Sequence, residues 1–228
     1  MKKILIIGGS RGIGKELALL LAQNHRVLLL SRDLDTLEFL QKSTNHQLLI
    51  GGIDLTATNF KEVLEGQIRT HLSEVDILIN NAGYLVNKPI LEITAADLKK
   101  TFDTNIIGLI QACQATIPFM KNGGHIVNIG SMGGFQGSAK FPGLSIYSAS
   151  KSAVAGFSEC LAEELKSAKI QVNCLALGSA QTEMLAEAFP GYKAAVTAEE
   201  MASFIADFSL NANKWINGKV IPVSSSTP

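Results

Sequence analysis

Residues 130–151, GSMGGFQGSAKFPGLSIYSASK, bring together a serine, a tyrosine and a lysine whose chemistries fit one reaction. Reducing a carbonyl group needs a hydride at carbon, a proton at oxygen, and a group to hold the charge that grows there. Tyr147 can deliver the proton, Ser131 can hold the oxygen, and Lys151 can tune the tyrosine. Tyr147 and Lys151 are four apart, so they share one face of any helix that carries them. A free phenol titrates near 10; an ammonium about 5 Å away, at an effective dielectric near 20, contributes roughly 3 kcal/mol, or about two pKa units. The spacing therefore predicts a tyrosine moved towards neutral pH. As a pattern Tyr-x-x-x-Lys is weak, since three tyrosines and sixteen lysines in 228 residues match it by chance in about one such chain in five. The plain alternatives are a snorkelling lysine beside an interfacial tyrosine, and a turn serine. Position in the fold has to decide.

The elements that would position these groups can be read from the hydrophobic pattern. Short apolar runs at Lys3–Ile7, Arg26–Ser31, Gln47–Ile50, Val75–Asn80, His125–Ile129, Ile170–Ala176 and Lys219–Val223 alternate with helical periodicity. Ile13, Leu17, Leu20 and Leu21 keep one helical face, as do Val154, Phe157, Leu161 and Leu165. This is the signature of βαβ units on a parallel sheet of about seven strands with helices on both faces. No linker, repeat or low-complexity stretch interrupts residues 1–228, so one doubly wound α/β domain is expected, with only the terminal SSSTP loose. Such sheets bind ligands outside the carboxyl ends of their strands. Ser131 would end the fifth strand there, and Tyr147 and Lys151 would open the fifth helix.

The residues after the other strands suit a dinucleotide. The first strand is followed by Gly8, Gly9, Ser10, Arg11, Gly12, Ile13 and Gly14. Gly8 serves a tight turn, Gly12 lets a pyrophosphate reach the backbone at a helix N-terminus, and Gly14 allows helix and strand to touch. The second is followed by Ser31-Arg32-Asp33, where an acid would bind a ribose 2′-hydroxyl and an arginine a 2′-phosphate. Arg32 comes first and Arg11 can reach the same phosphate, so NADP(H) is favoured and NAD(H) is the alternative. Asp54, after the third strand, either caps the next helix or accepts from an adenine amino group. Asn80-Asn81-Ala82-Gly83, after the fourth, is a run of small and amide residues suited to backbone passing close to a ligand.

Gly8-x-x-x-Gly12-Ile13-Gly14, Asn80-Asn81-Ala82-Gly83, Ser131 and Tyr147-x-x-x-Lys151 occur in the order found in the short-chain dehydrogenase/reductase superfamily, which the chain resembles from Lys3 to Val223. The resemblance implies a single Rossmann domain carrying both cofactor and substrate sites. It implies that Gly8, Ser10, Arg11, Gly12, Ile13, Gly14, Arg32, Asp54, Asn80, Ala82, Gly83, Tyr147, Lys151, Gly178 and Thr182 serve the dinucleotide. Asn105, in FDTNIIG, matches an asparagine of the fourth helix that completes a catalytic tetrad with Ser131, Tyr147 and Lys151. In the family the tyrosine is the acid for reduction and the base for oxidation. The lysine lowers its pKa and binds nicotinamide ribose, the serine holds the substrate oxygen, and the asparagine holds a water that links the lysine to solvent.

Three departures from the family pattern stand out. Ile7 replaces a frequent threonine before the glycine turn. Leu177 replaces the proline of a Pro-Gly pair, which predicts a less rigid loop before Thr182. The Ser131–Tyr147 interval is three residues longer than usual, and its Gly133, Gly134 and Gly137 suggest a mobile loop. Tyr84, Leu85, Phe135, Phe141, Met184, Phe189 and Tyr192 either line an apolar substrate pocket or pack a lid.

Composition narrows the partners. Twenty acidic side chains balance twenty basic ones, which points away from nucleic acid and membrane surfaces. Three isolated cysteines read as buried reduced thiols of a cytoplasmic protein, and no metal-ligand spacing is visible. A small carbonyl or alcohol substrate is expected, and the resemblance implies a homodimer or homotetramer built on the fourth and fifth helices. The competing reading is an NAD(P)-binding regulatory or sensor protein with little turnover, against which retention of all four tetrad residues argues. A sugar epimerase or dehydratase would carry a longer C-terminal region.

Overall fold

Apolar strands need cover on both faces, and that requirement organises the chain. The computed structural model describes residues 1–44 and 48–224. Seven parallel strands form one sheet in the order β3-β2-β1-β4-β5-β6-β9: β1 Lys3–Ile7, β2 Arg26–Ser31, β3 Leu49–Gly52, β4 Ile77–Asn80, β5 Gly124–Ile129, β6 Ile170–Leu177 and β9 Val220–Val223. Two short strands, β7 Ala180–Gln181 and β8 Val196–Thr197, pair separately. The helices are α1 Gly12–Ala22, α2 Leu34–Ser43, α3 Phe60–His71, α4 Ala95–Phe102, α5 Gly108–Thr116, α6 Ser145–Glu164, α7 Glu183–Ala188 and α8 Ala198–Asn211. Alternate residues of β1 enter opposite cores. Leu5 and Ile7 pack with Leu64 and Ile68 of α3, Leu109 of α5 and Val154 of α6. Ile4 and Ile6 pack with Leu17 and Leu21 of α1, Leu37 of α2 and Ile205 of α8. Each such fully buried aliphatic side chain contributes on the order of 1.5–3 kcal/mol.

The strand order reverses between β1 and β4, so the chain leaves these neighbours in opposite directions and opens a crevice at their carboxyl ends. The glycine turn follows β1 and Asn80–Gly83 follows β4, on the two sides of that crevice.

The seven expected strands are all present, the first two with the bounds expected and the other five with shifted ends. The third lies at Leu49–Gly52, and Gln47 of the expected run falls outside the described residues, as do residues 225–228 of the terminal segment expected to be loose. The fourth helix is not continuous: a π-helical turn, Asp103–Ile107, joins α4 to α5 and carries Asn105. The Tyr–Lys helix is therefore α6. Leu177 does not loosen its loop. It is buried, belongs to β6 and pairs with Val223, while the Gly178 N–H donates to Val223 O at 2.8 Å. Strand pairing supplies the rigidity expected of proline. Of the cysteines, Cys113 and Cys174 are buried and Cys160 is exposed on α6, which corrects the reading of three buried thiols. Among the described residues, no helix is long and apolar enough to cross a membrane.

His125 on β5 is buried, with Nδ1 2.9 Å from Ser209 O and Nε2 3.0 Å from Asn173 Nδ2. Burial depresses its pKa to about 4, with the Ser209 contact opposing. The unfolded chain then binds a proton near pH 6.5 that the folded chain refuses. Its contribution is intact above about pH 6.5 and is lost as pH falls towards 4, by roughly 2–3 kcal/mol at pH 4.5. Urea unfolding of wild type and His125→Gln at pH 7.5 and 4.5 should show the wild type losing more stability over that interval by about this amount.

Candidate active site

The site is assembled around a buried cation. Lys151 projects from α6, is 4% exposed, and donates from Nζ to Ile129 O at 2.7 Å, which ties the helix to the end of β5. Its Nζ lies over the Tyr147 ring, 5.9 Å from the centroid. A Cβ on Gly83 would stand 3.6 Å from the same Nζ and 3.7 Å from Asn105 Oδ1, so residues from β4, β5, the π turn and α6 converge. Loss of water around Lys151 lowers its pKa to about 8, with the nearby Cys174 acting in the other direction.

Tyr147 departs from the direction expected of a Tyr–Lys pair. Burial raises its pKa, and a hydrogen bond with Ser131 opposes this without reversing it. The ammonium lies 5.9 Å from the ring centroid and gives a hydrogen bond to Ile129 O. Tyr147 is thus held protonated in this state. Ser131 has extended backbone, and its Oγ accepts from the Gly133 N–H at 3.1 Å, which leaves the hydroxyl proton to donate.

The loop between them is closely packed at its start. A Cβ on Gly134 would lie 2.5 Å from the Lys151 carbonyl carbon, and one on Gly133 would lie 2.9 Å from Ser148 Oγ. These two glycines let the loop lie against α6 and bring Ser131 to Tyr147; they are contacts, not the hinge their composition suggests. Gly137, at φ +80°, has open space around it. Further on, Lys140 Nζ donates to Phe135 O at 2.7 Å and to Ser138 Oγ at 2.6 Å, so the loop satisfies its own polar groups. Phe141 and Tyr192 are exposed, and the Tyr192 hydroxyl is 3.1 Å from Ser179 Oγ. Met184 borders the nucleotide cleft.

Asn105 is buried and fully engaged. Its Nδ2 donates to Tyr84 O and Ser150 Oγ, both at 2.9 Å, and its Oδ1 accepts from the Tyr84 N–H at 2.7 Å. Both amide hydrogens are engaged, so the side chain fixes the Tyr84 backbone against α6. Asn80 also faces inward. Its Nδ2 donates to Asn128 Oδ1 at 2.8 Å and to Cys113 Sγ at 3.4 Å, which puts its side chain in the core and away from the cleft expected to hold it.

A cleft at the β1–β4 crevice is bordered by Gly8, Ser10, Arg11, Arg32, Asp54, Ala82 and Gly83. Gly8 has φ +87°, and a Cβ there would meet Ala82 Cα at 2.4 Å. At Gly14 a Cβ would lie 2.3 Å from Gly8 O. Gly12 opens α1, whose N-cap residue Arg11 makes no capping bond and whose first turn carries no acid. These N–H groups are left for an anion, so the residues fit a pyrophosphate. Ile13 follows on α1, partly buried against the core below the sheet. Thr182 caps α7, its Oγ1 accepting from the Leu185 N–H at 3.2 Å, and its Cγ2 would touch a Cβ on Gly12 at 3.2 Å. Gly178 stands where a Cβ would meet Ser224 Oγ at 2.8 Å.

A family model described as short chain dehydrogenase matches residues 2–193. The chain belongs to the short-chain dehydrogenase/reductase family. Among curated relatives of this short-chain dehydrogenase/reductase, carbonyl reductase family member 4 of Xenopus laevis is 35% identical over 189 residues, 82% of this chain and 78% of the relative. Human 3-oxoacyl-[acyl-carrier-protein] reductase is 32% identical over 186 residues, covering 80% of this chain and 77% of that one. A solved short chain dehydrogenase from Burkholderia cenocepacia in complex with NADP is 25% identical, with a TM-score of 0.87 over 99% of this chain and 97% of that one. The protein is an NAD(P)-dependent oxidoreductase acting on carbonyl or alcohol groups.

Four participants escaped the sequence reading. Asn81 Nδ2 donates to Gly8 O at 2.6 Å and pins the glycine turn to the loop after β4. Asn128 and Ser150 hold Asn80 and Asn105. Glu187 of α7 forms a two-pronged ion pair with Arg11. Asn81 alone had a local signal, as the second asparagine of a recognised run. Two glycine substitutions separate close packing from open space. Gly134→Ala should destabilise the protein and cut turnover at least ten-fold, because its Cβ has nowhere to go. Gly156→Ala, in α6 with nothing within 4 Å, should stabilise by about 0.5–1 kcal/mol in urea unfolding.

Proposed function

We propose that the protein is an NADP(H)-dependent carbonyl reductase or alcohol dehydrogenase, with cofactor and substrate sites in the one domain. The observation that carries this is the convergence of Ser131, Tyr147 and a buried Lys151 at the sheet edge that also holds the uncapped N-terminus of α1. When bound, the dinucleotide supplies or accepts a hydride at the substrate carbon. Ser131, with its oxygen already accepting from Gly133, donates to the substrate oxygen. Tyr147 gives its proton to that oxygen in reduction and recovers it in oxidation, and a phenol kept protonated by burial suits the reductive direction. Lys151 has three donors and spends one on Ile129 O; the others are available to ribose hydroxyls. Its charge favours the phenolate left after proton transfer. Asn105 is a positioning residue, holding Tyr84 and Ser150.

The preference for NADP(H) rests on how the two residues after β2 are used. Asp33 is the N-cap of α2: it accepts from the Thr36 N–H at 3.1 Å and from the Thr36 hydroxyl at 2.6 Å, so both carboxylate oxygens are engaged by the helix. That leaves little for a ribose hydroxyl. Arg32 borders the cleft, makes no hydrogen bond or ion pair among the described residues, and acts on the Asp54 carboxylate through its charge. Asp54 in turn accepts from the Thr56 N–H at 2.9 Å and from the Thr56 hydroxyl at 2.8 Å, both at Oδ1, and the N-cap of α3 is Asn59, so Asp54 does not take the helix-capping role expected of it. An unengaged arginine beside a committed acid favours a phosphate over a hydroxyl. The substrate is a small carbonyl or alcohol compound, and the chain pairs with itself through α5 and α6, where Ile107 is exposed beside them.

A carbonyl panel with NADPH tests the chemistry. Tyr147→Phe should lower turnover by about a hundred- to ten-thousand-fold while dinucleotide affinity stays within two-fold. Dinucleotide binding with no turnover of any carbonyl would favour a sensor. Lys151 is a cation below about pH 8 and neutral above it, so reduction should fall on the alkaline side of pH 8. Lys151→Arg keeps the charge and should move that limb to higher pH, as a pH–rate profile would record.

A further inference from the structure

α7 crosses the nucleotide cleft with two acids on one face, Glu183 and Glu187, a helical turn apart. Glu183 Oε2 lies 3.5 Å from where a Cβ on Gly12 would be. Glu187 takes the Arg11 guanidinium in a fork, Nη1 to Oε1 and Nη2 to Oε2, the second contact at 3.1 Å. Next to it, Ala188 O accepts from Asn87 Nδ2 at 2.9 Å, and the Lys88 N–H donates to Gly143 O at 3.0 Å. The end of α7 is therefore fastened on the nucleotide side by Arg11 and on the opposite side by Asn87.

We propose that Glu187 is a specificity-determining residue, a built-in carboxylate that competes with the 2′-phosphate of NADP(H) for Arg11. The proposal rests on the NADP(H) reading given above. A carboxylate and a phosphate use the same planar pair of guanidinium N–H groups, and Arg11 cannot present that pair to both. NAD(H) has no 2′-phosphate and leaves the fork in place. NADP(H) has to exchange Glu187 for its phosphate, so its apparent affinity is reduced by the fraction of molecules in which Arg11 is already held. Arg32, without such a partner, reads the phosphate in either case. The Arg11 and Glu187 side chains are 49% and 62% exposed, so the competition is modest and weakens with salt. Release of Glu187 leaves Asn87 holding Ala188, which confines the movement to the nucleotide side of α7.

Equilibrium binding of NADPH and NADH, by calorimetry or dinucleotide fluorescence, tests this without turnover. Glu187→Gln should tighten NADPH about three- to five-fold and change NADH by less than two-fold. In an Arg11→Gln background the same substitution should have no effect on NADPH, because the cycle removes the shared partner. An equal gain for both dinucleotides, or a gain that persists without Arg11, would overturn the competition. Failure of the NADP(H) reading looks different: the wild type would bind NADH more tightly and Arg32→Ala would leave the preference unchanged. The shift caused by Glu187→Gln, and its dependence on Arg11, can be read in either event.

Discussion

The structure depends on keeping one ammonium group out of water. An isolated cation in the interior is costly, and Lys151 is tolerated because its charge meets a strand-end carbonyl, a tyrosine ring and the polar groups around Asn105. Each of those partners belongs to a different element. The carbonyl of Ile129 is available because β5 ends there, and the helix reaches it because Gly133 and Gly134 carry no side chain to hold the loop away. The sheet supplies the platform, since seven parallel strands leave their carboxyl ends along one edge.

Electrostatics divides the edge into two regions with different work. Around Lys151 the groups lose water and their pKa values move. Around Arg11 and Arg32 the groups are exposed and the fields are screened, which suits reversible capture of a phosphate. α7 borders the second region, and just past it Ala188 O accepts from Asn87 Nδ2.

Much of this was legible in the chain because the relevant signals are short. The glycine turn is seven residues, the Tyr–Lys pair spans one helical turn, and β1 reads as a strand from four aliphatic residues alone. What was not legible depends on distant partners. Arg11 looks like a free cation until α7, 176 residues away, brings Glu187 to it. Asn80 and Asn105 look like ligand-facing amides until Asn128 and Ser150 appear behind them. The direction of the Tyr147 shift failed for a related reason: spacing gives the distance to an ammonium but not the loss of water around the phenol. Leu177 was misjudged because a missing proline says nothing about the strand that runs through its position.

The amide pair inside the sheet has a consequence of its own. Asn80 stands opposite Asn128 in the β4–β5 ladder, and Asn128 Nδ2 continues to Ser158 Oγ at 2.9 Å on α6. Two neighbouring aliphatic strands can slide past one another with little loss, since valine, isoleucine and leucine are nearly interchangeable partners. A slip of one residue of β5 against β4 would turn one amide to the other face, part it from its partner and leave both without this bond in hydrocarbon. The pair therefore works as a key for strand alignment. It rejects the shifted sheets that the apolar residues alone would accept, and so fixes the height at which Ile129 ends and offers its carbonyl.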